Sequence, residues 1–507
     1  MPVKIYSAAL IGLDSELVEV EADCSPFSQT GTYIVGLPDK AVDESKSRVR
    51  SAIKNSGLDF PRGAVIINLA PADLKKAGTC YDLPIAVACL AQTGQIKNSE
   101  LLADSLFVGE LGLNGQVRPI SGALSIALLC QAKKIARLFL PADNAAEAGL
   151  IAGLDIFPVQ NLKQLDAFFQ TGDGLEKFSA PTGEINREVI FPADLQHVRG
   201  QESAKRALEI AAAGSHNLLM SGPPGSGKTL LAKALPSILP QMSLAESLEV
   251  TKIYSAAGLL SPDEPLLKIR PFRSPHHTAS GISLVGGGAW PRPGEISLAH
   301  RGVLFLDEFL EFPKTVLENL RQPLEDGIIA ISRAAGTLKF PAKFILTAAM
   351  NPCPCGFAGD PEKPCSCTAA EVLRYRKRVS GPLLDRIDLH LEVPRLKFDD
   401  LAGRSTSENS AAVRERVQQA RDIQLARFKE EKIFSNSEMS SELTNKYCQI
   451  GEDSRELLRK AMERLHLSPR VYFRILKLAR TIADLAEEDN IAIEHLAEAL
   501  QYRPKVD

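Results

Sequence analysis

The sequence predicts an α/β protein with an all-helical end, and three observations predict it. Short apolar segments of strand type alternate with helix-period segments from residue 1 to about 400, a glycine-rich phosphate motif sits between one such strand and a helix, and beyond about residue 410 every patterned segment has helical period. At 507 residues the chain is too long for one core, and about 150 residues per domain suggests about three. With 45% hydrophobic and 24% charged residues it has ordinary globular usage, so each part can bury a core.

The first part, 1–172, mixes strands such as Ala64–Leu69 with helices such as Asp82–Leu90. Around Gln170–Glu188 the chain turns polar and rich in Gly, Pro and Thr, which places a linker at 173–188. In 189–400, Gly200–Ala213 reads as a helix, Asn217–Met220 as a short buried strand and Lys228–Leu235 as a helix opening from a glycine-rich turn. Two further apolar strands, Val303–Leu306 and Phe344–Thr347, complete a pattern expected of a parallel sheet. Polar Leu401–Ser410 opens the last part, 401–507, with helices at Ala411–Phe428, Glu452–Leu465, Pro469–Ala486 and Ile491–Tyr502.

Composition limits the function classes. No apolar run reaches the ~18 residues that cross a bilayer, and Asp14 and Glu16 interrupt the first apolar stretch, so a cytoplasmic protein without membrane contact is expected. A net charge of −3 gives no global attraction to polyanions; nucleic acid would have to meet a local basic surface. Nine cysteines, four of them within Cys353–Cys367, argue for reduced thiols with one candidate metal site over a spread disulfide framework.

Residues Gly222, Pro223, Pro224, Gly225, Ser226, Gly227, Lys228 and Thr229 match G-x-x-x-x-G-K-[ST] at every fixed position. Glycines let backbone N–H groups turn towards phosphate oxygens, Lys228 supplies charge at the β- and γ-phosphates, and the Thr229 hydroxyl is a Mg²⁺ ligand. A chance glycine-rich turn is the alternative. Strand Val303–Leu306 runs into Asp307 and Glu308, where a metal-side carboxylate and a general base are needed; an acidic helix cap competes with that reading. Asn351, after the next strand, can hold the attacking water, although an Asn before Pro352 also suits a turn.

These residues, with Phe272–His277, Gly302–Glu308, Asn351–Gly356 and Leu384–Asp388, resemble the magnesium-chelatase-related AAA+ family, in its competence-protein branch, over nearly the whole chain. The resemblance implies an AAA+ P-loop domain followed by a C-terminal helical lid, with ATP and Mg²⁺ as cofactors. It makes Arg386 an arginine finger reaching a neighbouring subunit's γ-phosphate, hence a ring, in this family a homo-hexamer. Without the resemblance, Arg386 reads as a surface ion-pair partner of Asp385 or Asp388. Ser468-Pro-Arg470 looks like the family's second sensor, placing Arg470 on a phosphate with Arg474 in reserve; a capped helix with solvated arginines is the alternative.

Between the phosphate-loop helix and the strand before Asp307 lies a long insert that contains Ile282–Arg292, and Ile329–Phe340 alternates as a β-hairpin. In related rings such hairpins face the pore, so Arg333, Lys339, Arg292 and Trp290 are the DNA-contact candidates, unless these loops only cover the protein's own core. Cys353, Cys355, Cys365 and Cys367 supply four thiols for a tetrahedral zinc site, yet each pair is separated by one residue instead of two, and a reduced loop is the alternative. His276 and His277 could bind metal too, but paired histidines beside a Pro read more readily as local hydrogen-bonding residues.

The first part resembles a Lon-protease-like domain at Lys76–Pro84 and Gly115–Gly122. Such a peptidase needs a Ser nucleophile and a Lys; here Cys80 and Leu124 stand roughly in their places, so a catalytically inactive domain with a scaffold or DNA-binding role is expected. The function implied is an ATP-driven hexameric DNA motor, a helicase promoting branch migration of recombination intermediates during natural transformation. The alternative is a chelatase-type remodelling subunit acting on a protein or porphyrin partner.

Overall fold

A computed structural model describes residues 2–25, 31–96, 99–179, 191, 193–288, 291–333, 336–396, 408–465 and 467–503. The chain forms two compact units, residues 1–186 with 247–267, and residues 187–246 with 268–507.

The first unit is built on β1 (Val3–Ile11), β2 (Asp14–Ser25), β3 (Gly31–Val35), β4 (Ala64–Ala70), β5 (Ser105–Phe107), β6 (Glu110–Leu111), β7 (Val117–Arg118), β8 (Arg137–Pro141) and β9 (Asp155–Val159). Seven of these form one mixed sheet in the order β3-β4-β2-β1-β5-β8-β9. Alternation drives it: along β2 the residues Val18, Val20 and Ala22 are buried, while their neighbours are less so. Helix Lys40–Asn55 starts where the Asp39 side chain accepts from the backbone N–H of Val42 at 2.8 Å, and helix Asp82–Gln92 is buried over most of its length. A stack of Phe107, Phe139 and Phe157 fills the far end of the sheet.

The expected linker starts later than its composition suggests. The helix Leu162–Thr171 ends at left-handed Gly172, but Phe178 then packs on the first unit, its backbone N–H donating to Ile156 at 2.8 Å. Burial of that ring outweighs the polar character around it. Residues 180–188, more than half of the expected linker, lie outside the described residues.

A second departure concerns residues 247–267, which lie within the span expected to form the sheet domain. They pack instead on the first unit, where the Ser255 carbonyl accepts from Gly122 at 3.1 Å and its hydroxyl bonds the buried carboxylate of Glu147.

The second unit contains β10 (Leu218–Ser221), β11 (Phe272–Arg273), β12 (Gly286–Gly287), β13 (Arg292–Pro293), β14 (Val303–Leu306), β15 (Ile328–Arg333), β16 (Gly336–Pro341), β17 (Ile345–Met350) and β18 (Leu389–Glu392). A five-stranded sheet, β11-β14-β17-β10-β18, is parallel throughout. Its three inner strands, β14, β17 and β10, are short and largely apolar, as expected where both faces are covered.

The C-terminal helices do not form a separate core. Helix Ser410–Arg427 packs on helices Glu202–Gly214 and Lys228–Ile238, and Pro469–Leu485 packs on Glu202–Gly214, so one apolar cluster joins sheet and helices. Arg421 fastens the joint: its buried guanidinium donates to the carbonyls of Ala212 and Ala213 and to Ser215 Oγ, which closes the open end of helix Glu202–Gly214. The two-unit division follows from this shared core. Among the described residues no helix is long and apolar enough to cross a membrane.

Candidate active site

Register in the parallel sheet lines up the site. Ser221 pairs with Met350 and Leu306 with Ala348, so β10, β17 and β14 end side by side, and the residues that follow them are Gly222, Asn351 and Asp307. Strand carboxyl ends are where an open α/β sheet presents its ligand crevice. The loop Gly222–Gly227 leads into helix Lys228–Ile238, with Gly225 and Gly227 at φ of 78° and 88°, a region glycine enters freely.

Side chains then converge. Thr229 Oγ1 donates to Asp307 Oδ2 at 2.8 Å, and Asp307 Oδ1 accepts from the backbone N–H of Glu308 at 2.9 Å. Lys228 Nζ donates to the carbonyls of Gly222 and Pro223 at 2.7 and 2.9 Å; burial lowers its pKa, and Asp307 opposes that shift. Glu308 is held at φ 51°, a left-handed backbone costing about 1–2 kcal/mol in a non-glycine residue. Its carboxylate is exposed to solvent and lies 3.2 Å from His277 Nδ1. His276 makes the expected local bond, to Thr278 Oγ1 at 2.9 Å, whereas His277 reaches across 31 positions to Glu308, so the local reading fails for it.

Two details fit the loop to a triphosphate with Mg²⁺. Ser226 Oγ is buried among the described residues without a hydrogen-bond partner, and the Thr229 and Asp307 oxygens present the hard donor set that Mg²⁺ takes. Gln201, which sequence reasoning missed, steadies the loop by donating to the Ser226 carbonyl at 2.6 Å.

The arginines lie elsewhere. A cavity of about 570 Å³ is lined by Asn217, Gly302, Ile345 and Asp388, which stand just before strands β10, β14, β17 and β18, or open them. It therefore occupies the amino edge of the sheet, and the four residues of β10 separate that edge from Gly222 by about 13 Å. Arg386, Arg470 and Arg474 line it, and none of residues 222–229 does. Arg386 is only 5% exposed; it donates to Pro382 O at 2.6 Å and pairs with Glu325, leaving Nε buried without a partner among the described residues. Arg470, behind the Ser468 cap, pairs with the same Glu325 at 2.8 Å.

Arg386 thus pairs with neither Asp385 nor Asp388, because Arg474 takes Asp388 at 2.6 Å. Burial works against ionisation of Asp388, but Arg474, His216 and Arg503 outweigh it and hold the carboxyl well below the usual range. Burial lowers the Arg386 pKa, and the neighbouring Arg470, Arg321 and Arg474 lower it further. Such crowding of guanidinium groups favours an added anion.

Cys353, Cys355, Cys365 and Cys367 gather with all four sulfurs within 4.8 Å of one another. Sequence order could not show that this loop touches the phosphate loop: a Cβ placed on Gly356 would lie 2.7 Å from Pro224 Cδ.

The hairpin β15–β16 forms in register, Ala330 opposite Lys339 and Arg333 opposite Gly336, and Lys339 is exposed. Its edges lie one residue outside the predicted ones. Arg292 is exposed on β13, paired with Gly287, while Gly281–Val285 of the insert is a short helix. Trp290 lies outside the described residues. In the first unit, burial pushes the Cys80 thiol up to about 12, Leu124 is fully buried, and the buried Lys76 donates to the Pro71 carbonyl.

Comparison with known proteins agrees with this architecture. Residues 194–401 match the family described as magnesium chelatase, subunit ChlI; residues 20–144 match subunit ChlI of Mg-chelatase, and 407–503 its C-terminal family. Competence protein ComM of Haemophilus influenzae is 44% identical over 512 residues, covering 99% of this chain and 97% of that protein. The uncharacterized protein YifB of Escherichia coli is 43% identical over 503 residues, covering 98% and 96%. Over a shorter stretch, Lon protease 2 of Bacillus subtilis is 26% identical across 158 residues, 29% of this chain and 28% of that one. With relatives this similar from end to end and all three family segments in order, the chain belongs to the magnesium-chelatase-related ComM/YifB family of AAA+ proteins.

Proposed function

We propose that this protein is an ATPase that works as a homo-hexameric ring on DNA in the cytoplasm, a helicase that promotes branch migration of recombination intermediates. One observation carries the reading: Lys228, Thr229, Asp307 and Glu308 meet at one edge of the sheet, while Arg386 and Arg470 share Glu325 at the other. On this reading each edge carries half of a hydrolytic site, and a neighbouring subunit brings the two halves together.

In that site the N–H groups of Gly222–Gly227 and the Lys228 ammonium grip the β- and γ-phosphates. Thr229 and Asp307 would hold Mg²⁺, which supplies charge neutralisation at those phosphates when bound. Glu308 orients a water and takes its proton, steered by His277, and Asn351 holds the same water from the adjoining strand. Arg386 and Arg470, brought together from one neighbouring subunit, give up Glu325 and neutralise charge on the transferring phosphoryl group, an effect worth about 10³-fold or more.

The DNA side of the proposal draws support from the name of competence protein ComM, which points to natural transformation, and from exposed Lys339 and Arg292 with Arg333 at the hairpin end. With Leu124 buried and the Cys80 thiol raised, the Lon-like unit serves as an inactive scaffold. ATP turnover by the purified chain is expected to rise with forked or single-stranded DNA and to ignore porphyrin. Stimulation by a porphyrin and a protein partner, with none by DNA, would favour a chelatase-type remodeller, which the ChlI match also suits.

A further inference from the structure

The loop between β17 and helix Ala369–Arg376 is hard to explain by packing. From 354 to 368 it holds no helix or strand, and Gly356 alone among those residues is buried. Ordering such a segment costs conformational entropy that apolar burial cannot offset here. We propose that Cys353, Cys355, Cys365 and Cys367 bind one zinc-class divalent cation as a tetrahedral thiolate site, and that this cation braces the nucleotide loop through Gly356.

The metal half rests on sulfur geometry. Cys353 Sγ lies 3.4 Å from Cys355 Sγ and 3.7 Å from Cys365 Sγ, and Cys355 and Cys365 are 3.6 Å apart. A tetrahedron with metal–sulfur bonds of about 2.3 Å has sulfur–sulfur edges of about 3.8 Å, whereas a disulfide needs about 2.0 Å. These three separations lie near the first and well beyond the second, and Cys367 Sγ lies within 4.8 Å of the other three. Backbone N–H groups also aim at the sulfurs, Ala358 at Cys353 (3.2 Å) and Cys367 at Cys365 (3.4 Å), the outer-shell donors that a charged thiolate cluster requires. An all-sulfur donor set selects zinc or a similar soft cation over Mg²⁺.

The bracing half rests on contact. Gly356 follows the second ligand directly, stands at φ 85°, and lies so close to Pro224 that a Cβ would come 2.7 Å from its ring and 4.0 Å from Asn351 Cγ. Asn351 precedes the first ligand by two residues. Four sulfurs on one cation would fix the C-x-C turn, and that turn fixes the wall of the phosphate loop and the amide proposed to hold water. This half depends on the nucleotide reading above; the metal half does not.

The full-length chain, purified under reducing conditions, is expected to carry one zinc per chain by mass spectrometry. Exchanged with cobalt, it should show the intense thiolate-to-metal absorption and visible bands of a tetrahedral site. Cys365→Ser with Cys367→Ser should lose the metal and weaken binding of a fluorescent ATP analogue by about tenfold or more. Gly356→Val should keep cobalt yet weaken the analogue similarly, which separates bracing from general unfolding. Absence of zinc together with absence of the cobalt absorption overturns the site. Metal-depleted chain that binds the analogue as tightly as the parent overturns the bracing. A parent that holds cobalt but binds no nucleotide removes the nucleotide reading and the bracing with it, and leaves the metal site standing.

Discussion

Glu308 carries the chemistry proposed here on a strained backbone, and its surroundings make its role testable. It is anchored through its own N–H to Asp307, kept exposed, and met by His277 at 3.2 Å. A glutamine keeps the shape and loses the basicity. Glu308→Gln is therefore expected to lower ATP turnover by about 10² to 10⁴-fold while nucleotide affinity stays within a few-fold of the parent, by single-turnover and equilibrium binding measurements. Equal turnover in variant and parent would remove Glu308 as the base. Lys228, Thr229 and Asp307 were legible in sequence because two belong to one motif and the third ends an apolar strand. His277, Gln201 and Glu325 were not, since each meets its partner only after strands and helices have been packed.

At the scale of elements, parallel pairing decides which residues become neighbours. Val393, just past β18, donates its N–H to the Ser221 carbonyl at 2.8 Å, and its own carbonyl would stand 2.1 Å from a Cβ on Gly222. Neither side is a flexible side chain that could move aside. Gly222→Ala is expected to displace the start of the phosphate loop, costing about 1–3 kcal/mol in a denaturant titration and weakening nucleotide binding by about tenfold or more. Normal stability and affinity in that variant would mean that the strand exits are less tightly coupled than they look. Helical period located Glu452–Leu465 to the residue and strand Val303–Leu306 likewise, because caps and apolar runs are local signals. It could not reveal that 247–267 packs on the first unit, for amphipathic pattern says that a face is buried and not against what.

For the whole molecule, the separation of Arg386 from Lys228 makes assembly the measurable quantity. Lys228→Ala removes the phosphate grip from a chain but leaves its arginines; Arg386→Ala does the reverse. Each alone is expected to be inactive. Mixed in equal amounts before ring formation, they should recover about one quarter of parental turnover, the chance that an intact loop meets an intact arginine in a head-to-tail ring. No recovery in rings shown to contain both chains would place the finger within its own subunit and undo the shared-site proposal.

The linear order of residues determined by itself the phosphate motif, the parallel sheet that frames it, the helical end and the four-cysteine loop, because each depends on neighbours within a few positions or on a short period. Tertiary structure alone decided that Arg386 and Arg470 share Glu325 at the amino edge of the sheet, that the C-terminal helices join the sheet's own core, and that the cysteine loop leans on Pro224. These are contacts between residues tens to hundreds of positions apart, and they exist only once burial of both faces of the sheet has chosen which segments come together.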